Sequence, residues 1–155
     1  MIIRQLNRVT GDAAAQLDRA SGAAGKDGGS DVAVITADRA AGLESAQLEL
    51  SCQTDEDGYQ VVTVAGELDI ATAEQAYTYI SGVIDDRTAP VSVDLGGVTF
   101  CDASGLGVLA RIARHARQAG RQLRLTSARP SLMKIMRITG LDRAFPELRP
   151  SARAY

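Results

Sequence analysis

A chain of 155 residues is long enough to bury one core without a metal or a disulfide to staple it, and it is read as one domain plus an extension. Seventeen Lys and Arg against nineteen Asp and Glu leave a net charge of −2, which removes the electrostatic case for binding nucleic acid or a membrane surface. Two cysteines, Cys52 and Cys101, and one histidine, His115, exclude any recognisable zinc spacing, and no apolar run approaches the roughly 18 residues of a membrane span. No metal, no cofactor and no secretory leader are expected, and the cysteines, in or beside apolar strand segments, read as reduced core residues of a cytoplasmic protein.

Residues 1–45 are expected to form a flexible extension, 46–150 the folded domain and 151–155 a tail. Eleven of the twenty residues 11–30 are Ala or Gly, too little apolar surface to pack, while 1–9 and 32–35 are apolar enough only for transient structure. Leu48, Leu50 and Cys52 then alternate as a strand, Asp55-Glu56-Asp57-Gly58 turns the chain, and 59–65 alternates again through Val62 and Val64 or Val61 and Thr63, predicting a hairpin or adjacent strand pair. Residues 66–70 leave that strand. Thr72 with Gln75 three residues on is a capping-box pattern, and Ala73, Ala76 or Tyr77, Ile80, and Val83 or Ile84 recur at helical spacing until 85–90 breaks it.

Val91, Val93 and Leu95 alternate as the central strand, with Gly96 and Gly97 expected to end the run. From Leu106 the period lengthens to about 3.6. Leu106, Leu109, Ile112, Ala113 and Ala116 form one stripe, Arg111, Arg114 and Arg117 the other face, and Gly120 is the stop. Leu123 and Leu125 mark a strand after this crossover helix, parallel to the one before. Pro130 opens a last helix in which Leu132, Ile135, Met136 and Thr139 are expected to face inward, with Gly140 ending it and Leu141 packing back. Alternating strand and helix predicts an α/β domain: a mixed sheet of four to five strands packed with three to four helices.

The first turn of the long helix holds the candidate site. Asp102 can cap amides that have no intrahelical partner, and small Ala103, Ser104 and Gly105 leave the turn open. A phosphate on Ser104 would meet those amides and the positive end of the helix dipole; a plain helix-start serine is the alternative. Charge is divided along the chain, with ten acids and one base in 53–102, then seven Arg, Lys134 and no acid in 103–141, so opposite patches are expected to steer a charged protein partner. Other chemistries fit less well. Gly105, Gly107 and Ala110 match a dinucleotide pattern without its strand and ribose acid. His115 lies about 16 Å from Ser104 along the helix, too far for a hydrolase pair. A phosphoaspartate receiver using Asp94, with Asp69 and Asp102 holding Mg²⁺, lacks a lysine at a later strand end.

DLGGVTFCDASGLGVL at 94–109 resembles the phosphorylation segment of STAS-domain anti-sigma factor antagonists, with Ala103 replacing the first serine of Asp-Ser-Ser-Gly-Leu and Ser104 standing at the phosphoacceptor position. GELDIATA at 66–73 and SLMKIMRITGLDRAF at 131–145 resemble that family's strand-end motif and late helix. The resemblance implies a single STAS domain that is not an enzyme. Its unmodified form binds an anti-sigma factor and so releases a sigma factor; an anti-sigma factor serine kinase switches it off at Ser104, and a PP2C-type phosphatase restores it. Asp69, Ile70, Thr72, Asp102, Ala103, Gly105 and Leu106 would form the docking surface. It also implies one more strand and helix than the ten residues after Phe145 allow, so at most a short edge strand is expected there, with weak homodimerisation through that edge. Within the same fold, a scaffold subunit of a stress-signalling or lipid-transport complex without phospho-switching is the other reading, while an anion transporter is set aside for want of a transmembrane segment.

Overall fold

The computed structural model describes residues 31–37, 46–86 and 88–151. Its strands are β1 (Asp31–Ala37), β2 (Ala46–Thr54), β3 (Gln60–Leu68), β4 (Val91–Cys101), β5 (Leu123–Ala128) and β6 (Arg149–Pro150). The helices are α1 (Ala73–Asp86), α2 (Ala103–Gln118) and α3 (Pro130–Thr139), followed by a 3₁₀ turn at Leu141–Ala144. The strands lie in one sheet in chain order. β1, β2 and β3 form an antiparallel meander; β4, β5 and β6 then add in parallel, each after a helical crossover. This is the mixed-sheet α/β fold that the periodicity predicts.

Strand alternation and helical stripes meet in one core. Leu48, Leu50, Val62, Val64, Val91, Val93 and Leu95 are buried from the sheet, Ile80 and Ile84 from α1, and Leu109 and Ile112 from α2. Each such side chain contributes about 1.5–3 kcal/mol by leaving water. Because β3 and β4 are parallel and Leu68 is in register with Cys101, the segments leaving both strands emerge side by side at one end of the sheet.

The structure departs from the sequence expectations in four places. Asp31–Ala37, placed within the expected extension, pairs with β2, so the sheet gains a sixth strand; the β-branched run around Val32, Val34 and Ile35 suits a ladder despite its Ala- and Gly-rich flanks. Residues 1–30 and 38–45 lie outside the described residues, as do 152–155 of the expected tail. β3 does not stop at Ala65 but runs through Gly66, whose φ of 107° and approach to the Gln47 carbonyl oxygen only glycine tolerates. β4 likewise continues through both Gly96 and Gly97. A Cβ on Gly97 would lie 2.8 Å from the Ala65 Cβ at a register shift, so this glycine permits close strand approach and ends nothing.

Finally, α3 is rotated from its expected face. Leu132, Met133 and Met136 are buried, whereas Ile135, Thr139 and Ile138 are exposed. The short edge strand expected at the C-terminal end is present as two residues, and the Ser151 N–H donates to the Ala128 carbonyl at 2.8 Å. No helix among the described residues is long and apolar enough to cross a membrane.

Candidate functional site

The parallel ends of β3 and β4 place two helix starts side by side, and each is organised by an aspartate. On leaving β3, the Asp69 carboxylate accepts hydrogen bonds from the Ala71 N–H at 2.9 Å and the Thr72 N–H at 3.3 Å. The Thr72 hydroxyl accepts from the Asp69 N–H at 3.1 Å and donates to the Glu67 carbonyl at 2.7 Å. Both side chains are buried. They hold the loop from within and have no surface to offer a partner. Between them, Ile70 projects outward, 79% exposed.

Leaving β4, Asp102 is the N-cap of α2. Its Oδ1 accepts from the Ser104 N–H at 2.8 Å and the Gly105 N–H at 3.1 Å, satisfying two of the helix's orphan donors. Its Oδ2 accepts from the Ile70 N–H at 3.2 Å, and its own N–H donates to the Leu68 carbonyl at 3.3 Å. One carboxylate therefore ties the β3 loop to the first turn of α2. Gly105 is buried against that junction. A Cβ there would strike the Leu68 carbonyl oxygen and come 2.7 Å from the Cys101 sulfur. Burial, with the Asp102 charge in second place, pushes the Cys101 thiol up to about 11, which makes it an inert core thiol.

Ser104 is half-buried, and its hydroxyl has no hydrogen-bond partner among the described residues. Ala103 is exposed and Leu106 half-buried, packing partly against the core. Of the predicted docking residues, Ile70, Asp102, Ala103 and Leu106 lie at the surface around Ser104, while Asp69, Thr72 and Gly105 are buried beneath it. Phe100, 50% exposed near the end of β4, belongs to the same end of the sheet and was not anticipated. Its neighbour Cys101 continues the strand's apolar run, so only the outward turn of the ring marks it as surface.

One electrostatic expectation changes. The amides of Ser104 and Gly105 do not await an anion, because the Asp102 carboxylate already fills them. A phosphate on Ser104 would enter beside an existing negative charge. Among the described residues, two of the seven arginines of 103–141 pair with acids of the other half, Arg111 with Glu74 at 2.9 Å and Arg124 with Asp55 at 3.9 Å, and His115 Nε2 lies 2.8 Å from the Asp85 carboxylate. The guanidinium of Arg111 also lies 3.8 Å over the Tyr77 ring. The Arg111 and His115 contacts pin α1 to α2 behind the site, and Arg111 holds Glu74 below the usual carboxylate range.

The receiver constellation does not assemble. Asp94 accepts from the Gly96 N–H at 2.8 Å and from the Ser127 hydroxyl, eight residues before Asp102 and hence roughly 26 Å away along β4. No metal-holding group of three His, Cys, Asp or Glu side chains occurs among the described residues.

A family model described as "Mlab, STAS domain" matches residues 52–150. The anti-sigma-B factor antagonist of Staphylococcus aureus is 27% identical over 88 residues, covering 57% of this chain and 82% of that protein. Among solved structures, an anti-sigma factor antagonist from Mycobacterium paratuberculosis is similar with a TM-score of 0.57 at 31% identity, covering 68% of this chain and 87% of that one. The Bacillus cell fate determinant SpoIIAA in its phosphorylated form is similar with a TM-score of 0.52 at 21% identity, covering 66% and 91%, a likeness of fold alone.

Proposed function

This chain belongs to the STAS domain family, and from that premise we propose that it is an anti-sigma factor antagonist, a binding module switched at Ser104 with no catalysis of its own. Unmodified, it binds an anti-sigma factor in the cytoplasm and frees a sigma factor. The anti-sigma factor is also the serine kinase, transferring the γ-phosphoryl group of ATP to the Ser104 oxygen with loss of the hydroxyl proton. A PP2C-type phosphatase hydrolyses the ester and restores binding.

The observation that carries this reading is the position of the Ser104 hydroxyl. It is unpartnered among the described residues, half-exposed, and set at the sheet end where Ile70 and Phe100 offer apolar surface to a partner. Exposed aromatic and aliphatic side chains are the kind of anchor that dominates binding energy. A phosphate there adds a charge of about −1.5 to −2 at the centre of the surface, next to Asp102. It repels acidic groups of a partner and resists desolvation against apolar ones.

The test is the affinity of the anti-sigma factor for Ser104→Ala and Ser104→Asp, measured by titration calorimetry. Ser104→Ala should bind like the unmodified protein, and Ser104→Asp at least about tenfold more weakly, a loss of ~1.4 kcal/mol. Equal affinities would replace the switch with constitutive binding, as in a STAS scaffold.

A further inference from the structure

The carboxylate of Asp102 faces two ways, and that division links Ser104 to a segment 32 residues earlier in the chain. Oδ1 holds the amides of Ser104 and Gly105, and Oδ2 holds the amide of Ile70. The rest of the β3 loop has its own anchors: Asp69 and Thr72 interlock, and the Ala71 N–H bonds to Asp69. Ile70 is different. Its side chain is largely exposed, so burial does little to hold it, and its amide bond to Asp102 is the tie that joins this residue to the start of α2.

We infer that Asp102 is a positioning residue through which the charge state of Ser104 controls the order of Ile70. This rests on the reading of Ser104 as a phosphorylated serine and deepens it. A phosphate ester on the Ser104 oxygen and the Asp102 carboxylate compete for the same two amides at the start of α2, at a separation where like charges repel. The phosphate is the stronger acceptor and carries the larger charge. It displaces Oδ1, the carboxylate turns away, and the Ile70 N–H loses Oδ2. Phosphorylation then acts twice on a partner: it places a charge on the surface, and it loosens the apolar anchor beside that charge. β3, β4 and their crossover helices keep their own hydrogen bonds and burial, so the loosening stays local.

The test uses full-length protein with phosphoserine built in at position 104 during synthesis, so that no kinase is required, and reads amide hydrogen exchange residue by residue. Phosphoserine should speed exchange at the Ile70 amide at least about tenfold, while amides at Val62 and Val93 remain protected. The same comparison is made in Asp102→Ser, which keeps a neutral N-cap for α2 but is too short to reach Ile70. There, Ile70 should exchange fast already and change less than about twofold on phosphorylation, the non-additivity expected of coupled groups. No effect of phosphoserine on Ile70, or an equal effect in both backgrounds, overturns the coupling; should Asp102→Ser not fold, the wild-type comparison alone decides. Treating the unmodified protein with the partner kinase is a separate measurement, whose failure would remove the physiological switch and leave the coupling to be judged on the exchange data.

Discussion

α2 and α3 solve the same problem at their N-termini with different materials. Both must satisfy or dispense with amides that no helical carbonyl can reach. α2 starts on Asp102, whose carboxylate takes two amides and reaches across to Ile70. α3 starts on Arg129, which makes no side-chain cap, and relies on Pro130, whose ring fixes φ and removes one donor outright. The third helical position differs as well: Gly105 admits the Leu68 carbonyl, whereas Leu132 fills its own space in the core. A start built on charge and close approach responds to a nearby charge. A start built on proline and packing does not.

Substitutions can break that contrast. The largest effect should come from Gly105→Ala, because the new methyl meets a backbone carbonyl and a buried sulfur that cannot easily move; a loss of about 2 kcal/mol is expected from urea midpoints. Ser131→Ala, at the exposed second position of α3, should stay within ~0.5 kcal/mol. Similar losses at both positions would mean that the close approach at α2 is not a constraint. Next, Asp102→Ala should cost about 1 kcal/mol, and the loss should shrink in high salt, while Pro130→Ala should cost about 0.5 kcal/mol by freeing the unfolded chain and should ignore salt.

The smallest effect belongs to the start of α1, where Arg111 of α2 reaches Glu74 in the first turn. That hydrogen bond lowers the Glu74 pKa in the folded state. The pair therefore stabilises above the range of the unfolded carboxyl and is lost as pH falls through the lower folded value. Glu74→Gln should cost about 0.5 kcal/mol at neutral pH and progressively less as acid protonates the folded carboxyl, compared by denaturation across the acid range. A cost that persists in acid would point to lost packing against α2 and not to the ion pair.

The α2 start was the most legible part of the sequence because its determinants are local: an acid, three small residues, then a helical stripe. The elements that escaped depend on neighbours distant in the chain. Gly96-Gly97 reads as a break until β3 is seen pressing Ala65 against it. The strand at Asp31–Ala37 needs β2 beside it before its short apolar run means anything. Ile135 and Met133 are equally plausible core residues of α3 by spacing, and the docking angle of that helix chose Met133. From the acidic and basic halves of the chain, the individual cross-half contacts of Arg111, His115 and Arg124 could not be read, because they depend on how the elements pack. At the site, Ser104 and Asp102 were readable as types; the tie from Asp102 to Ile70 and the outward turn of Phe100 were not, since both require β3 and β4 to end together.

The two borders of the sheet also differ in what they admit. β6 is two residues long and its second is Pro150, which has no N–H to offer a further strand, so this border is sealed against growth. The opposite border, β1, is seven residues of ladder, paired on one side only among the described residues. Among the described residues, the edge that keeps its ladder groups is therefore β1, and a β1-to-β1 contact between two copies would be self-complementary about a two-fold axis, closing at two copies where an open head-to-tail contact would propagate.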